Sequence, residues 1–265
     1  MKKYFVIGNP IDHSLSPKLH NHWLKKNNIN AIYDKIKLEE NEIKNFIQDI
    51  KQQKIIGCNV TVPFKKSVIP FLDKLSLAAE QTQSVNTIVS DDGYLVGHNT
   101  DIDGFELSIK KLNYDVNDKT IMILGAGGVV PSIIYALKRM NAGNIIISNR
   151  TKEKAEALKE KYSYLKLINW GETVNSDIII NATSIGLKES DEINVNYPRI
   201  GSNKLFYDVI YNPSKTRFLL KAEELNNQIE NGKMMFIYQA QLSFKIWHNI
   251  TPKVDDSIIK LLNDD

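Results

Sequence analysis

The chain has 265 residues and a formal charge of +3. That is room for two modest domains, and too little positive charge for nucleic-acid binding, which would also need a basic run interleaved with aromatics. A single cysteine, Cys58, excludes an intramolecular disulfide and every multi-cysteine metal site; inside the apolar stretch 55–58 it is expected to be a buried, inert thiol. The apolar segment after Lys2-Lys3 is too short for the core of a signal peptide, and no apolar run approaches the length of a membrane span. A cytoplasmic protein without membrane partners is expected.

The elements alternate between strand and helix, the pattern of α/β layers around a mainly parallel sheet. Residues 4–8 read as a buried strand. Ser16-Pro17 then opens a helix, with Ser16 as N-cap and Pro17 at the first helical position. Residues 31–38 alternate as a half-buried strand does. Residues 41–51 carry Ile43, Phe46, Ile47 and Ile50 at helical spacing. Residues 55–62 form the next strand, stopped by Pro63, with Asn59 and Thr61 on one face. Two short strands, 85–89 and 94–96, flank the turn Asp91-Asp92-Gly93. A helix over 104–112 and a polar stretch over 113–119 lead to an apolar strand over 120–124, a glycine turn and a helix to about Met140. A strand over 144–148, a helix over 152–162, strands over 177–182 and 205–210, and an amphipathic helix over 236–248 complete the reading.

Strand, glycine turn and helix in succession bind a pyrophosphate: backbone approaches the phosphates closely, and the helix start offers N–H groups and a positive partial charge. Gly125-Ala126-Gly127-Gly128-Val129-Val130 has that context. Val130 stands where glycine or alanine is usual, which predicts slightly looser helix–strand packing, and Pro131 falls in the first turn, where its missing N–H costs little. The end of the next strand reads Ser148-Asn149-Arg150-Thr151-Lys152. An NAD site usually carries a carboxylate there for the ribose hydroxyl; a guanidinium instead suits a 2′-phosphate. This predicts NADP as cofactor.

The first third of the chain holds the unusual polar residues. Ser14 and Ser16 precede a helix, where both can bond a carboxylate that also meets the helix N-terminus. Asn59, Thr61 and Lys65 cluster at a strand exit, and Asn86-Thr87 and Asn99-Thr100-Asp101 border apolar runs. So many short polar groups favour a polyhydroxylated ligand, because each desolvated hydroxyl needs a partner. His13, His20, His22, His98 and His248 show no metal-ligand spacing, so no metal is expected and His98 reads as structural. Met234, Met235 and Phe236 read as packing residues.

Together, Ser14-Leu15-Ser16-Pro17, Asn59 to Lys65, Asn86-Thr87, Gly97 to Asp101, Gly125 to Gly128, Asn149-Arg150-Thr151, Asn181 to Gly186, Asp208 to Pro213 and Gln239-Ala240 resemble, in order, the signature set of the shikimate dehydrogenases. The resemblance implies an α/β substrate domain (1–101, with the C-terminal helices 237–265 returning to it), a Rossmann-like NADP-binding domain (102–236), and an active site in the cleft between them. It implies NADP-dependent, reversible reduction of 3-dehydroshikimate to shikimate, a step of chorismate and aromatic amino acid biosynthesis, by a monomer or homodimer. Lys65 and Asp101 would be the catalytic pair. Ser14 and Ser16 would hold the substrate carboxylate, with Thr61, Asn86, Tyr211 and Gln239 around the ring. Gly125, Ala126, Gly127, Gly128 and Val129 would cradle the pyrophosphate, Asn149, Arg150, Thr151 and Lys154 the 2′-phosphate end, and Thr183, Val209 and Gly232 the nicotinamide side. Two positions depart from the family pattern: Val129-Val130-Pro131, where small and basic residues are more frequent, and Leu77, where some members carry an acid. A broader quinate/shikimate dehydrogenase and a catalytically silent shikimate-binding homologue are the alternatives; a methylene-tetrahydrofolate dehydrogenase fits the twin serines poorly.

Overall fold

The structure is a computed structural model describing residues 1–263; the last two positions of the stretch 237–265 lie outside the described residues. The chain divides into two compact units, Met1–Gly104 with the chain from Ile237 onward, and Phe105–Phe236.

The first unit begins β1 (Lys2–Gly8), α1 (Ser16–Lys26), β2 (Ala31–Lys37), α2 (Ile43–Lys51) and β3 (Gly57–Val60). It continues through β4 (Lys74–Leu75), α3 (Leu77–Thr82), β5 (Thr87–Asp91), β6 (Tyr94–His98) and the start of α4 (Asp101–Lys111). The sheet order is β2-β1-β3-β5-β6-β4. β1 lies parallel to β2 and β3, whereas β5 is antiparallel to both β3 and β6, so the sheet is mixed. Alternation along the strands sorts the side chains. Ile7, Cys58, Val60 and Ile88 pack with Ile43, Phe46, Ile47 and Ile50 of α2 in one apolar core. Cys58 is fully buried there, and burial pushes its thiol well above the usual range, as an inert cysteine requires. Tyr4, Tyr33 and Asn59 look the other way.

The second unit runs β7 (Thr120–Leu124), α5 (Val130–Arg139), β8 (Asn144–Ser148), α6 (Lys152–Lys161), β9 (Lys166–Ile168) and β10 (Ile178–Asn181), then α7 (Tyr197–Ile200), β11 (Leu205–Asp208), α8 (Arg217–Glu224) and β12 (Gln228–Glu230). Its sheet is wholly parallel, ordered β12-β11-β10-β7-β8-β9. Strand order reverses between β7 and β10, the place where doubly wound sheets bind ligands at their carboxyl ends. The apolar runs of β7, β8 and β10 are buried, as a sheet covered on both faces demands. Val130 is completely buried.

The chain ends with α9 (Lys233–His248) and α10 (Asp256–Leu261). Within the first unit α9 lies on the sheet face that carries Tyr4, Tyr33 and Asn59. Trp247 lies tilted by 40° against Tyr4, ring centroids 5.0 Å apart, and donates its indole N–H to the Ile88 carbonyl at 3.1 Å. Gly57 makes that approach possible, since a Cβ there would come within 2.5 Å of the indole nitrogen. Among the described residues no helix is long and apolar enough to cross a membrane.

Three readings of the sequence need correction. Ser16 is the first residue of α1 and not its N-cap, a position Leu15 takes without a side-chain bond; the Ser14 hydroxyl instead accepts the Ser16 N–H at 3.3 Å. The reason is that the Ser16 side chain is buried and turned to Tyr33. The strand expected over 55–62 is only Gly57–Val60, so Thr61 lies beyond it. The helix expected from Gly104 starts at Asp101, where carboxylates at positions 101 and 103 complement the positive helix end.

Candidate functional site

Lys65 follows the turn that leaves β3, and Asp101 is the first residue of α4. Backbone pairing sets this geometry: the Thr61 N–H bonds to Ile7 at 2.9 Å, and the Lys65 carbonyl accepts the Val85 N–H at 2.8 Å. The Lys65 ammonium meets the Asp101 carboxylate at 2.5 Å, with side chains only 12% and 7% exposed. Such an ion pair, mostly withdrawn from water, is held by its own geometry and by further hydrogen bonds. These exist. Asn86 donates to the second Asp101 oxygen at 3.0 Å, and the Asn99 side chain accepts the Asp101 N–H at 3.1 Å. Asn86 also reaches Gln239 of α9 at 3.3 Å and the Thr100 hydroxyl at 2.8 Å. Lys65, Asn86, Asp101 and Gln239 are therefore one bonded group.

The group continues inward. Asn59 donates to the Asn86 carbonyl at 3.0 Å and to the Ser243 hydroxyl at 2.9 Å. A carbonyl can only accept, so the Asn59 amide nitrogen must face it and the Asn59 oxygen must face Tyr33. Tyr33 accordingly donates to that oxygen at 2.7 Å and shares a second hydrogen bond with Ser16. Burial holds the Tyr33 phenol well above its ordinary pKa, so it stays a neutral donor. It lies flat on His20, centroids 4.2 Å apart. Desolvation pushes His20 down to about 3, which keeps that ring neutral in its aromatic surroundings. Ser16 is in this way connected through Tyr33 and Asn59 to the Lys65–Asp101 pair. Thr61 is half-buried, with its methyl group against Gly8. Ser243 and Tyr33 carried no role in the sequence reading, and Asn59 only that of one of the polar groups at the strand exit. Their signals were a serine one helical turn after Gln239 and the inward phase of two strands.

His98 is half-buried, and desolvation lowers its pKa. Its backbone carbonyl accepts the Asn86 N–H at 3.0 Å, a structural duty. Among the described residues no group of histidine, cysteine or carboxylate side chains is arranged to hold a metal ion.

In the second unit the glycine turn follows β7. Gly125 has φ +115°, and a Cβ there would meet the Ala182 carbonyl oxygen at 2.8 Å, so only glycine fits. At Gly128 a Cβ would point into open space, and at Gly127 it would meet only the Ala182 oxygen at 3.9 Å. The backbone here is thus a bare cradle ahead of α5, with Val129 at its N-cap. At the end of β8, Asn149 donates to the Thr151 carbonyl at 2.7 Å, which shapes the turn into α6. Arg150 and Lys154 are exposed, and their side chains have no ion-pair partner among the described residues. No carboxylate stands at this strand end. An open glycine cradle and an unpaired guanidinium fit a dinucleotide bearing a 2′-phosphate. Thr183 packs against Gly125, and Gly232 against the Val209 backbone, where a Cβ would collide with the carbonyl at 2.1 Å. Tyr211 belongs to this unit and stacks on Phe236 at 4.9 Å.

A nucleotide-type parallel sheet, in one chain with a unit holding a desolvated lysine–carboxylate pair among amides and hydroxyls, marks a dinucleotide-dependent oxidoreductase of small polar molecules. Residues 6–88 match the family model of the shikimate dehydrogenase substrate binding domain, and residues 106–208 that of shikimate / quinate 5-dehydrogenase. The chain is 58% identical to the shikimate dehydrogenase (NADP(+)) of Pelagibacter ubique, over 99% of this chain and all of that one. The crystal structure of shikimate dehydrogenase from Aquifex aeolicus superposes with a TM-score of 0.91 at 36% identity, covering 100% of this chain and 98% of that one. A Thermus thermophilus shikimate 5-dehydrogenase, solved in complex with NADP(H) and shikimate, gives 0.90 at 27% identity, covering 99% of both chains. The chain belongs to the shikimate dehydrogenase family.

Proposed function

We propose that the protein catalyses the NADP-dependent, reversible reduction of 3-dehydroshikimate to shikimate. The observation that carries this is the desolvated Lys65–Asp101 pair, bonded through Asn86 to Gln239. Bound NADPH supplies the hydride that goes to the ring carbonyl carbon. Lys65 holds on Nζ the proton that the carbonyl oxygen must gain, and takes it back in reverse. Its positive charge also steadies the negative charge that develops on that oxygen. Asp101 orients the ammonium and accepts from a ring hydroxyl. Asn86, Gln239, Thr61 and Tyr211 supply the remaining ring contacts, and Ser14 and Ser16 the carboxylate site. Arg150, Asn149, Thr151 and Lys154 select the 2′-phosphate; Gly125, Ala126, Gly127, Gly128 and Val129 take the pyrophosphate; Thr183, Val209 and Gly232 take the nicotinamide side.

This reading makes 1–101 with the chain from 237 onward the substrate-binding part, and 102–236 the NADP-binding part. It makes the protein a cytoplasmic enzyme of chorismate and aromatic amino acid biosynthesis. The test is direct. NADPH absorbance is followed with shikimate and NADP, then with NAD, then with quinate. Turnover with shikimate and NADP is expected, and far less with NAD. Shikimate binding without turnover would instead support a silent homologue.

A further inference from the structure

Asn181 and Asp208 belong to two of the signature segments and Thr216 follows the second, yet none of them has a role in the reading above. They form a buried chain of hydrogen bonds at the carboxyl ends of β10 and β11. The Asp208 carboxylate is completely buried and faces no cation among its bonded partners. Its three donors are the Asn181 amide at 3.0 Å, the Ile210 N–H at 3.0 Å and the Thr216 hydroxyl at 2.7 Å. A carboxylate only accepts, so the Asn181 nitrogen must face Asp208 and the Asn181 oxygen must face the other way. That oxygen accepts the Thr183 N–H at 3.0 Å and the Thr183 hydroxyl at 2.7 Å, while the amide also reaches the Ile185 carbonyl at 3.0 Å. The Thr183 hydroxyl in turn accepts the Ile185 N–H at 3.0 Å. One side chain therefore holds the loop over 182–186 by three hydrogen bonds to two of its residues, Thr183 and Ile185, and Asp208 locks that side chain to the loop after β11.

We infer that Asn181 and Asp208 are positioning residues for the dinucleotide: they fix, through one amide–carboxylate bond, the two loops that carry Thr183 and Val209. The loop they fix is the wall of the glycine cradle. The Ala182 carbonyl and the Thr183 methyl lie 2.8 and 3.0 Å from where a Gly125 Cβ would stand. Gly186, at the far end of the loop, has φ +121° and packs against Thr216, so the Thr216 hydroxyl and the loop are placed together. Leaving a carboxylate buried without a cation is costly. Its retention here is explained by an arrangement in which every oxygen acceptor has a loop donor.

The inference rests on the nucleotide site assigned above, and the experiment separates the two. NADP and shikimate affinities are measured by calorimetry on the full chain. Asn181→Asp keeps the acceptor toward Thr183 but sets two carboxylates face to face. NADP affinity is expected to fall at least tenfold, with shikimate affinity within twofold of wild type. Asp208→Asn can reform its three bonds with the Thr216 hydroxyl turned to accept, and is expected to lose less than threefold. Combined with Asn181→Asp it removes the carboxylate–carboxylate contact but not the loss of the Ile185 bond, and should recover part of the lost NADP affinity. Thr216→Val, which removes one hydroxyl away from the cradle, should cost about threefold and serves if Asn181→Asp does not fold. Wild-type NADP affinity in both Asn181→Asp and Thr216→Val, or equal losses for NADP and shikimate, overturns the inference. Arg150→Ala is the control: if it too leaves NADP affinity unchanged, the nucleotide reading itself falls.

Discussion

Removing one member of the Lys65–Asp101 pair leaves the other charge in place with most of its water gone. At 12% and 7% side-chain exposure, neither group can recover full hydration without opening the structure. Breaking a buried pair from one side typically costs about 3–5 kcal/mol. Asn86 still donates to Asp101 when the lysine is gone, which offsets part of the loss. About 3 kcal/mol is therefore expected for Lys65→Met and for Asp101→Asn, a fall of roughly 6–12 °C in midpoint for a chain of this size. The double variant has no stranded charge, because methionine fills the lysine stem's volume and asparagine keeps a polar contact to Asn86. It should return to within about 1 kcal/mol of wild type, which makes the coupling several kcal/mol. Activity should not return: loss of general acid–base help costs about 10² to 10⁴ in kcat, and all three variants should show it. Urea unfolding with NADPH-coupled kinetics on the same samples reads both quantities. A double variant as unstable as the sum of the singles would refute the ion-pair argument. A Lys65→Met enzyme turning over normally would refute the proton assignment.

Arg150→Ala should weaken NADP by about one to two powers of ten, the worth of a charge-assisted bond of roughly 1.5–3 kcal/mol, with little effect on NAD use; equal losses would show that the arginine does not read the 2′-phosphate. Ser14→Ala and Ser16→Ala should raise the KM for shikimate with kcat nearly unchanged, since each bond is made alike in ground and transition states. Steady-state kinetics decides, and a lost kcat at unchanged KM would move that serine into the chemistry. For Asp208, burial raises the folded pKa from 3.8 to about 6. Between those values the folded chain keeps a proton that the unfolded chain has released, so stability falls as pH rises through the window, by about 3 kcal/mol in all. Asp208→Asn does not titrate, so its stability relative to wild type should climb from about pH 4 to pH 7 in urea unfolding. A flat difference would mean that the carboxyl is not desolvated as the fold implies.

The second unit was legible because its strands are short apolar runs and its ligand turn is local. Residues 120–124 and 144–148 form strands with the bounds read from sequence, and the glycine turn stands between its strand and helix. Edge strands were not legible: Lys166–Ile168 and Gln228–Glu230 are three residues each and partly exposed, too short for any periodicity to mark them. In the first unit the residues that touch Asp101 were named in advance, but of the chain that supports them only Asn59 was, and not its partners. Tyr33, Asn59 and Ser243 meet across separations of 26 and 184 positions, and no local pattern reports such a meeting. The Ser16 misreading has the same root, for a serine before Pro17 looks like a cap until Tyr33 claims its hydroxyl.

That 184-residue separation between Asn59 and Ser243 also dictates an order of events during synthesis. At about 5–20 residues per second, roughly ten to forty seconds pass between the two residues leaving the ribosome's active centre. In that interval Phe105–Phe236 is made in one unbroken run and has all it needs to close its own sheet. The earlier strands do not. Until α9 arrives, Tyr4, His20 and Trp23 lack the Phe244 and Trp247 rings that cover them, and the Asn59 amide lacks its serine. The half of the protein translated first is the half finished last, so a nascent chain carries an open aromatic face through most of its making. A product cut short before Phe244 lacks both covering rings and keeps that face open.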